Sequence, residues 1–123
     1  MKTIALVAHD AKKDDMVAWV RRHRDRLAQA TLCGTGTTGG LVAETTGLPV
    51  ERMKSGPFGG DAQLGARIAE AGLDALIFFT DPLSSLPHDV DVKSLLRLAV
   101  LYDIPLAMSP STADLVLAGL LPD

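Results

Sequence analysis

Apolar residues in this chain form short continuous runs that alternate with longer segments of helical periodicity. Four such runs predict β-strands at Thr3–Ala8, Ala30–Cys33, Ala75–Phe79 and Ile104–Met108, and the more polar stretch Val50–Lys54 predicts a fifth. The longer segments predict helices at Asp14–Ala28, Leu41–Thr46, Asp61–Ala71, Val92–Tyr102 and Ser111–Leu120. This alternation predicts the α/β class, as a Rossmann-like three-layer α/β/α domain with a mostly parallel five-stranded sheet. We expect residues 1–123 to form this single domain.

The sequence also predicts local features of three of these helices. In the helix at Asp14–Ala28, the apolar stripe predicts one uninterrupted element. In the helix at Val92–Tyr102, Val100 is expected to face inward. Ser111 followed by Asp114 resembles a capping box at the start of the last helix.

Composition narrows the possible classes of protein. Hydrophobic residues make up 47% of the 123 residues, which is enough for a packed core. The net charge of −3 argues against a nucleic-acid partner, because such proteins carry a basic footprint. The basic run Arg21–Arg26 is the local exception, and we interpret it as the solvated end of a helix, where arginines complement the dipole.

The N-terminal apolar run and the cysteine content bear on location. Ile4–Ala8 is too short for a signal-peptide core, and no apolar run approaches membrane-spanning length, so we expect no membrane partner. Cys33 is the single cysteine and cannot form an intrachain disulfide; we interpret it as a small core residue. These features predict a cytoplasmic protein.

Polar and glycine-rich segments follow each predicted strand. In a parallel sheet, ligands bind outside the carboxyl ends of the strands, so these five segments are the candidate site. They are His9–Lys13, Gly34–Gly39, Ser55–Asp61, Thr80–Asp91 and Ser109–Thr112.

The segment Gly34-Thr35-Gly36-Thr37-Thr38-Gly39 allows two functional interpretations. Its glycines fit the dinucleotide fingerprint, with Glu51 as the nearest acidic residue for a ribose. Its threonines instead suit a bare phosphate, because Thr35, Thr37 and Thr38 add hydroxyl donors to the amides at a helix start. A purely structural alternative is a tight turn with a threonine helix cap.

The neighbouring segments add further candidate groups. Ser55 and the Gly56 amide can hold the same phosphate, and Lys13 can meet it as a point charge. Asp61 stands where a helix N-cap belongs, and it is also the candidate general base. His88 lies among aspartates that lack a recognised metal-ligand spacing, so no metal is expected and a proton carrier is the sharper interpretation.

Three stretches together resemble the methylglyoxal synthase family. They are Gly34-Thr35-Gly36-Thr37-Thr38-Gly39, Ser55-Gly56-Pro57-Phe58-Gly59-Gly60-Asp61, and Phe78-Phe79-Thr80-Asp81-Pro82-Leu83 through Pro87-His88-Asp89-Val90-Asp91-Val92-Lys93. The resemblance implies conversion of dihydroxyacetone phosphate to methylglyoxal and inorganic phosphate, in a homohexamer that needs no metal or organic cofactor. It also implies that inorganic phosphate is a product and a possible inhibitor.

The resemblance also implies roles for individual residues. It makes Asp61 the catalytic base, His88 a catalytic and substrate-contacting residue, and Asp91 a supporting carboxylate. The implied substrate and phosphate contacts are His9, Lys13, Thr35, Gly36, Thr37, Thr38, Ser55 and Gly56. The alternative is a non-catalytic regulatory module of the same fold that binds an anion or nucleotide, and a third interpretation is a small NAD-binding domain.

Overall fold

The computed structural model describes residues 1–83 and 92–122 and contains one five-stranded sheet. The strands are β1 Thr3–Ala8, β2 Thr31–Gly34, β3 Val50–Arg52, β4 Ala75–Phe79 and β5 Leu106–Ala107. They lie in the order β3-β2-β1-β4-β5, and all four pairings are parallel. The predicted α/β class is therefore confirmed, with a fully parallel sheet.

Helices cover both faces of this sheet. They are α1 Lys13–Arg22, α2 Arg24–Leu27, α3 Gly36–Thr46, α4 Gly60–Ala69, α5 Val92–Leu101 and α6 Pro110–Leu120. Side chains from α1, α3 and α6 pack on one face of the sheet, and side chains from α4 and α5 pack on the other. This arrangement confirms the three-layer prediction.

The two faces of β1 show how the core is divided. Ile4 and Leu6 point into the cluster formed with α1, α3 and α6, whereas Ala5 and Val7 point into the cluster formed with α4 and α5. All four are buried, as expected for a central parallel strand covered on both faces.

Cys33 lies in the second of these clusters and is fully buried. Burial raises the pKa of the Cys33 thiol, and the nearby Arg67 guanidinium offsets part of that increase. The thiol is therefore a neutral core group at neutral pH, as the sequence predicts.

The helix predicted at Asp14–Ala28 is broken at His23. His23 adopts φ −112° and ψ 20°, and its Nε2 lies 2.9 Å from Oδ1 of Asp114 on α6. The same carboxylate oxygen accepts a hydrogen bond from Trp19 Nε1 at 2.9 Å. The break therefore falls where α1 is tied to a helix that is distant in sequence, a contact that local periodicity does not reveal.

Two other predictions about helices are wrong. Asp114 does not cap α6, because the helix begins at Pro110 after Ser109 and the Asp114 carboxylate binds Trp19 and His23 instead. The indole hydrogen bond is the main cause that lowers the pKa of Asp114 below its ordinary value. Val100 is 76% exposed, although the helical pattern predicts that it faces the core.

No helix within 1–83 or 92–122 is both long and apolar enough to span a lipid bilayer.

Candidate functional site

His9 marks the point in the sheet where the direction of the connections reverses. β1 lies between β2 and β4. After β1 the chain adds β2 and β3 on one side of it, and then adds β4 and β5 on the other side. In open α/β sheets, ligands bind at such a reversal, in the crevice outside the carboxyl ends of the strands. The His9 amide donates to the Phe79 carbonyl at 3.1 Å, which extends the β1–β4 pairing by one residue.

The His9 ring is held by the backbone that follows β4. The Asp81 amide donates to His9 Nδ1 at 2.9 Å, so the neutral imidazole carries its proton on Nε2. The ring lies edge-on to Phe78 and the residue is 7% exposed. Nε2 is buried and has no hydrogen-bond partner among the described residues, which makes it a donor available to a bound molecule.

The glycine-threonine segment is the start of a helix rather than a loop. β2 ends at Gly34, Thr35 is extended, and α3 begins at Gly36. The first hydrogen bond of α3 runs from the Gly39 amide to the Thr35 carbonyl at 2.7 Å. The amides of Thr37 and Thr38 therefore belong to the first turn, where helix geometry provides no intrahelical acceptor and favours an anion.

Gly36 brings the segment after β3 against this helix start. A β-carbon on Gly36 would lie 3.0 Å from Ser55 Oγ and 3.0 Å from the Met53 carbonyl oxygen. Without one, the Ser55 and Thr37 hydroxyl oxygens come within 3.5 Å of each other. The two hydroxyl groups and the first-turn amides together form a small cluster of donors.

Lys54 connects this donor cluster to the helix that carries Asp61. Its carbonyl accepts from the Gly36 amide at 3.3 Å, and its amide donates to Oε1 of Gln63 on α4 at 2.8 Å. The next carbonyl, that of Ser55, accepts from the Gly60 amide at 3.0 Å. The starts of α3 and α4 are therefore fixed relative to each other through two consecutive residues.

Asp61 is the second residue of α4 and does not cap it, so the capping prediction is wrong. The cap position belongs to Gly59, whose φ of 109° is in the left-handed region that glycine tolerates. The Asp61 side chain is half-buried, and its Oδ1 is shielded from solvent. Phe58, three residues before Asp61, is 78% exposed.

Two of the predicted phosphate contacts already have protein partners. Lys13 Nζ forms an ion pair with the Asp10 carboxylate. The Thr38 hydroxyl donates to the Ala8 carbonyl at 3.4 Å, which ties α3 to the end of β1 beside His9. Thr38 therefore has its amide, rather than its hydroxyl proton, available for an anion.

The structure thus brings most of the predicted residues to one edge of the sheet. They are His9, Lys13, Thr35, Gly36, Thr37, Thr38, Ser55, Gly56 and Asp61. His88 and Asp91 lie outside the described residues. Glu51, the ribose candidate of the dinucleotide interpretation, forms an ion pair with Arg67 instead. Among the described residues, no group of three or more histidines, cysteines or carboxylates is placed to hold a metal.

Three residues of this edge were not predicted from the sequence: Arg52, Lys54 and Gln63. Lys54 and Gln63 act through a backbone amide and a side-chain amide, which have no distinctive spacing in sequence. Arg52 closes β3, and its Nε donates to the Gly36 carbonyl at 3.3 Å. The predicted strand runs on to Lys54, so nothing in the sequence indicated that Arg52 closes β3.

Comparison with known proteins places this architecture in a family. Residues 15–108 match the model of the MGS-like domain, so the fold is that of this domain class. The chain is 58% identical over 114 residues to methylglyoxal synthase of Agrobacterium fabrum, covering 92% of this chain and 90% of that protein. It is 57% identical over 119 residues to methylglyoxal synthase of Leptospira interrogans, covering 97% and 80%.

A solved structure supports the same assignment. The crystal structure of methylglyoxal synthase from Elizabethkingia anophelis NUHP1 superposes with a TM-score of 0.93 at 52% identity, covering 95% of this chain and 77% of that one. This chain belongs to the methylglyoxal synthase family.

Proposed function

We propose that this chain is a lyase that converts dihydroxyacetone phosphate to methylglyoxal and inorganic phosphate. The observation that carries the proposal is the link through Lys54. It holds the donor cluster at the start of α3 against the first turn of α4, where Asp61 lies. A phosphate-eliminating reaction needs such an anion cradle and a carboxylate base at a fixed separation.

The cradle binds the phosphate of the substrate. The amides of Thr37 and Thr38 and the hydroxyl groups of Thr37 and Ser55 donate to its oxygens, and the positive end of α3 favours its charge. Thr35, Gly36 and Gly56 shape the cradle through their backbone. Lys13, held at the start of α1 by Asp10, contributes positive charge.

Asp61 acts as the general base. It removes a proton from the hydroxymethyl carbon, and the electrons of that C–H bond form a carbon–carbon double bond as the carbonyl becomes an enediolate. When the enediolate collapses, a new double bond forms toward the phosphate-bearing carbon and the C–O bond to phosphate breaks. Phosphate leaves with the electron pair, and the resulting enol takes up a proton to give methylglyoxal.

The enediolate oxygens require hydrogen-bond donors. His9 supplies one through Nε2–H, since its Nδ1 is occupied by the Asp81 amide. His88 and Asp91 lie outside the described residues. Their roles rest on the family resemblance, with His88 donating to the enediolate and carrying protons and Asp91 supporting it.

The family resemblance also bears on oligomeric state, inhibition by the product and cellular location. We propose a homohexamer by family resemblance, which is supported by large exposed apolar side chains at Val100, Leu101 and Leu115. Inhibition by inorganic phosphate follows if the product competes for the same cradle. A cytoplasmic location suits a single buried thiol.

Incubating the purified chain with dihydroxyacetone phosphate tests the function. We expect methylglyoxal and inorganic phosphate to be released in equal amounts without added metal or nucleotide. Binding of phosphate without turnover would favour the regulatory-module alternative, and tight binding of NAD would favour the dinucleotide interpretation.

A further inference from the structure

Arg52 packs against the first turn of α3. Its Nε donates to the Gly36 carbonyl at 3.3 Å. Thr37 and Arg52 line the same cavity of about 330 Å³, together with Gly40, Leu41 and Glu44. The guanidinium group therefore lies along the first turn of α3, the turn whose amides form the proposed phosphate cradle.

Gly40 makes room for this guanidinium. A β-carbon on Gly40 would lie only 2.7 Å from Arg52 Cζ and 2.7 Å from its Nη2. Glycine stabilises a helix less than alanine does. Gly40 therefore lowers the stability of α3, but it leaves the space that the Arg52 guanidinium occupies.

The guanidinium brings a full positive charge to the first turn of α3, in a cavity that the Glu44 side chain also lines. The start of a helix carries partial positive charge, and a second positive group beside it is repelled. A bound phosphate dianion is attracted by both the helix start and the guanidinium, and these attractions outweigh the repulsion between the two positive groups. Local features that reduce stability in this way are expected at functional sites.

We propose that Arg52 is a positioning residue for the phosphate cradle and that its charge favours doubly charged phosphate groups. It acts through the Gly36 carbonyl, which it holds in place, and through its electrostatic field rather than by direct contact. This inference rests on the proposed function.

Two variants separate the charge of Arg52 from its position. Arg52→Gln removes the charge, whereas Gly40→Ala keeps it but displaces the guanidinium from the helix start. The control is Arg21→Gln, which makes the same charge change on the exposed last turn of α1. For each variant we would measure kcat and KM for dihydroxyacetone phosphate, the inhibition constant of inorganic phosphate and the thermal midpoint.

We expect Arg52→Gln to raise both KM and the phosphate inhibition constant roughly three- to tenfold, with kcat within about twofold. Gly40→Ala should change them in the same direction without lowering the thermal midpoint. Arg52→Lys should be intermediate, since it keeps the charge but loses the fixed guanidinium geometry. The KM of the wild type should rise more steeply with salt than that of Arg52→Gln.

Unchanged KM and phosphate inhibition in Arg52→Gln would overturn the proposal, even if its thermal midpoint fell. Equal increases of KM and of the phosphate inhibition constant in Arg21→Gln would also overturn the proposal, because the effect would then depend on the net charge of the protein and not on the position of Arg52. If the wild type did not turn over the substrate, the proposed function would fail. Calorimetric titration with inorganic phosphate would still decide the role of Arg52.

Discussion

Gly60 packs against the Lys54 carbonyl so closely that a β-carbon on Gly60 would overlap that oxygen. Gly60 immediately precedes Asp61. The same Lys54 carbonyl accepts a hydrogen bond from the Gly36 amide at the start of α3. The absence of a side chain at Gly60 therefore sets the spacing between the proposed base and the phosphate cradle.

Gly60→Ala should consequently lower turnover more than it lowers phosphate affinity. The overlap involves backbone, so α4 must shift, and a displacement near 1 Å can cost about 100-fold in rate. We expect kcat for dihydroxyacetone phosphate to fall by roughly that factor. The control is Gly119→Ala in α6, where among the described residues no atom outside the adjoining helix backbone lies within 4 Å of the added carbon, and stability should rise by at most about 1 kcal/mol. Equal kcat in Gly60→Ala and wild type would refute this account of the spacing.

His9 offers a test of which ring nitrogen faces the substrate. In His9→Asn, the side-chain oxygen can still accept the Asp81 amide, but the donor at the Nε2 position is lost. In His9→Gln, a donor reaches the Nε2 position while the contact with Asp81 weakens. We expect Gln to retain at least about tenfold more kcat/KM than Asn, as one transition-state hydrogen bond would provide.

An independent measurement of His9 uses nitrogen NMR of the free protein. The Asp81 hydrogen bond predicts that the neutral ring carries its proton on Nε2. A proton on Nδ1 would contradict the assignment, as would higher activity in His9→Asn than in His9→Gln.

The Asp114 carboxylate predicts a pH dependence of stability. The pKa of Asp114 is lowered from its ordinary value of 3.8, chiefly by the Trp19 indole. Its contribution to stability is therefore fully present above about pH 4 and is lost as pH falls through the lower folded-state value. Because the side chain is 49% exposed, we expect about 1 kcal/mol or less.

Denaturant unfolding followed by Trp19 fluorescence checks this prediction, since Trp19 is the single tryptophan. The difference in unfolding free energy between wild type and Asp114→Asn should be larger at pH 7 than at pH 3. The matched control, Asp25→Asn, replaces an exposed carboxylate on α2. A difference that grows toward low pH would have the wrong sign.

The Cys33 thiol should be unreactive toward thiol reagents in the folded protein. Its thiol is fully buried, and burial raises its pKa, so little thiolate is formed and reagents have no access. We expect an aromatic disulfide reagent to label it slowly under native conditions and rapidly in denaturant. Native labelling as fast as in denaturant would show that the core around β2 opens readily.

β1 and β4 were predictable because each is a continuous apolar run, whereas β3 is short and carries Glu51 and Arg52. The predicted bounds of β1 and β4 agree with the structure, since both strands are buried on both faces and bounded by polar residues. The helix ends were less predictable, because side chains from distant elements decide them. His23 ends α1 where Asp114 of α6 reaches it, and Asp114 is thereby taken from the capping role that its spacing suggests.

The candidate site shows the same division. Glycines and threonines indicated the proposed phosphate cradle, because few other residue types suit an anion at a helix start. The sequence did not show that α3 begins as early as Gly36, because glycine is a poor helix former. Lys54 and Gln63 were missed, since a backbone amide and a surface glutamine leave no pattern in sequence.

The central claim is that Asp61 removes the proton that starts phosphate elimination, and the most direct test is turnover of dihydroxyacetone phosphate by Asp61→Asn. Asparagine keeps the size of the side chain but cannot accept the proton at neutral pH. We expect inorganic phosphate to bind as in the wild type while kcat falls by a factor of at least about 100, the lower end of the usual contribution of a general base. Near-normal kcat in a folded, phosphate-binding Asp61→Asn variant would contradict the account.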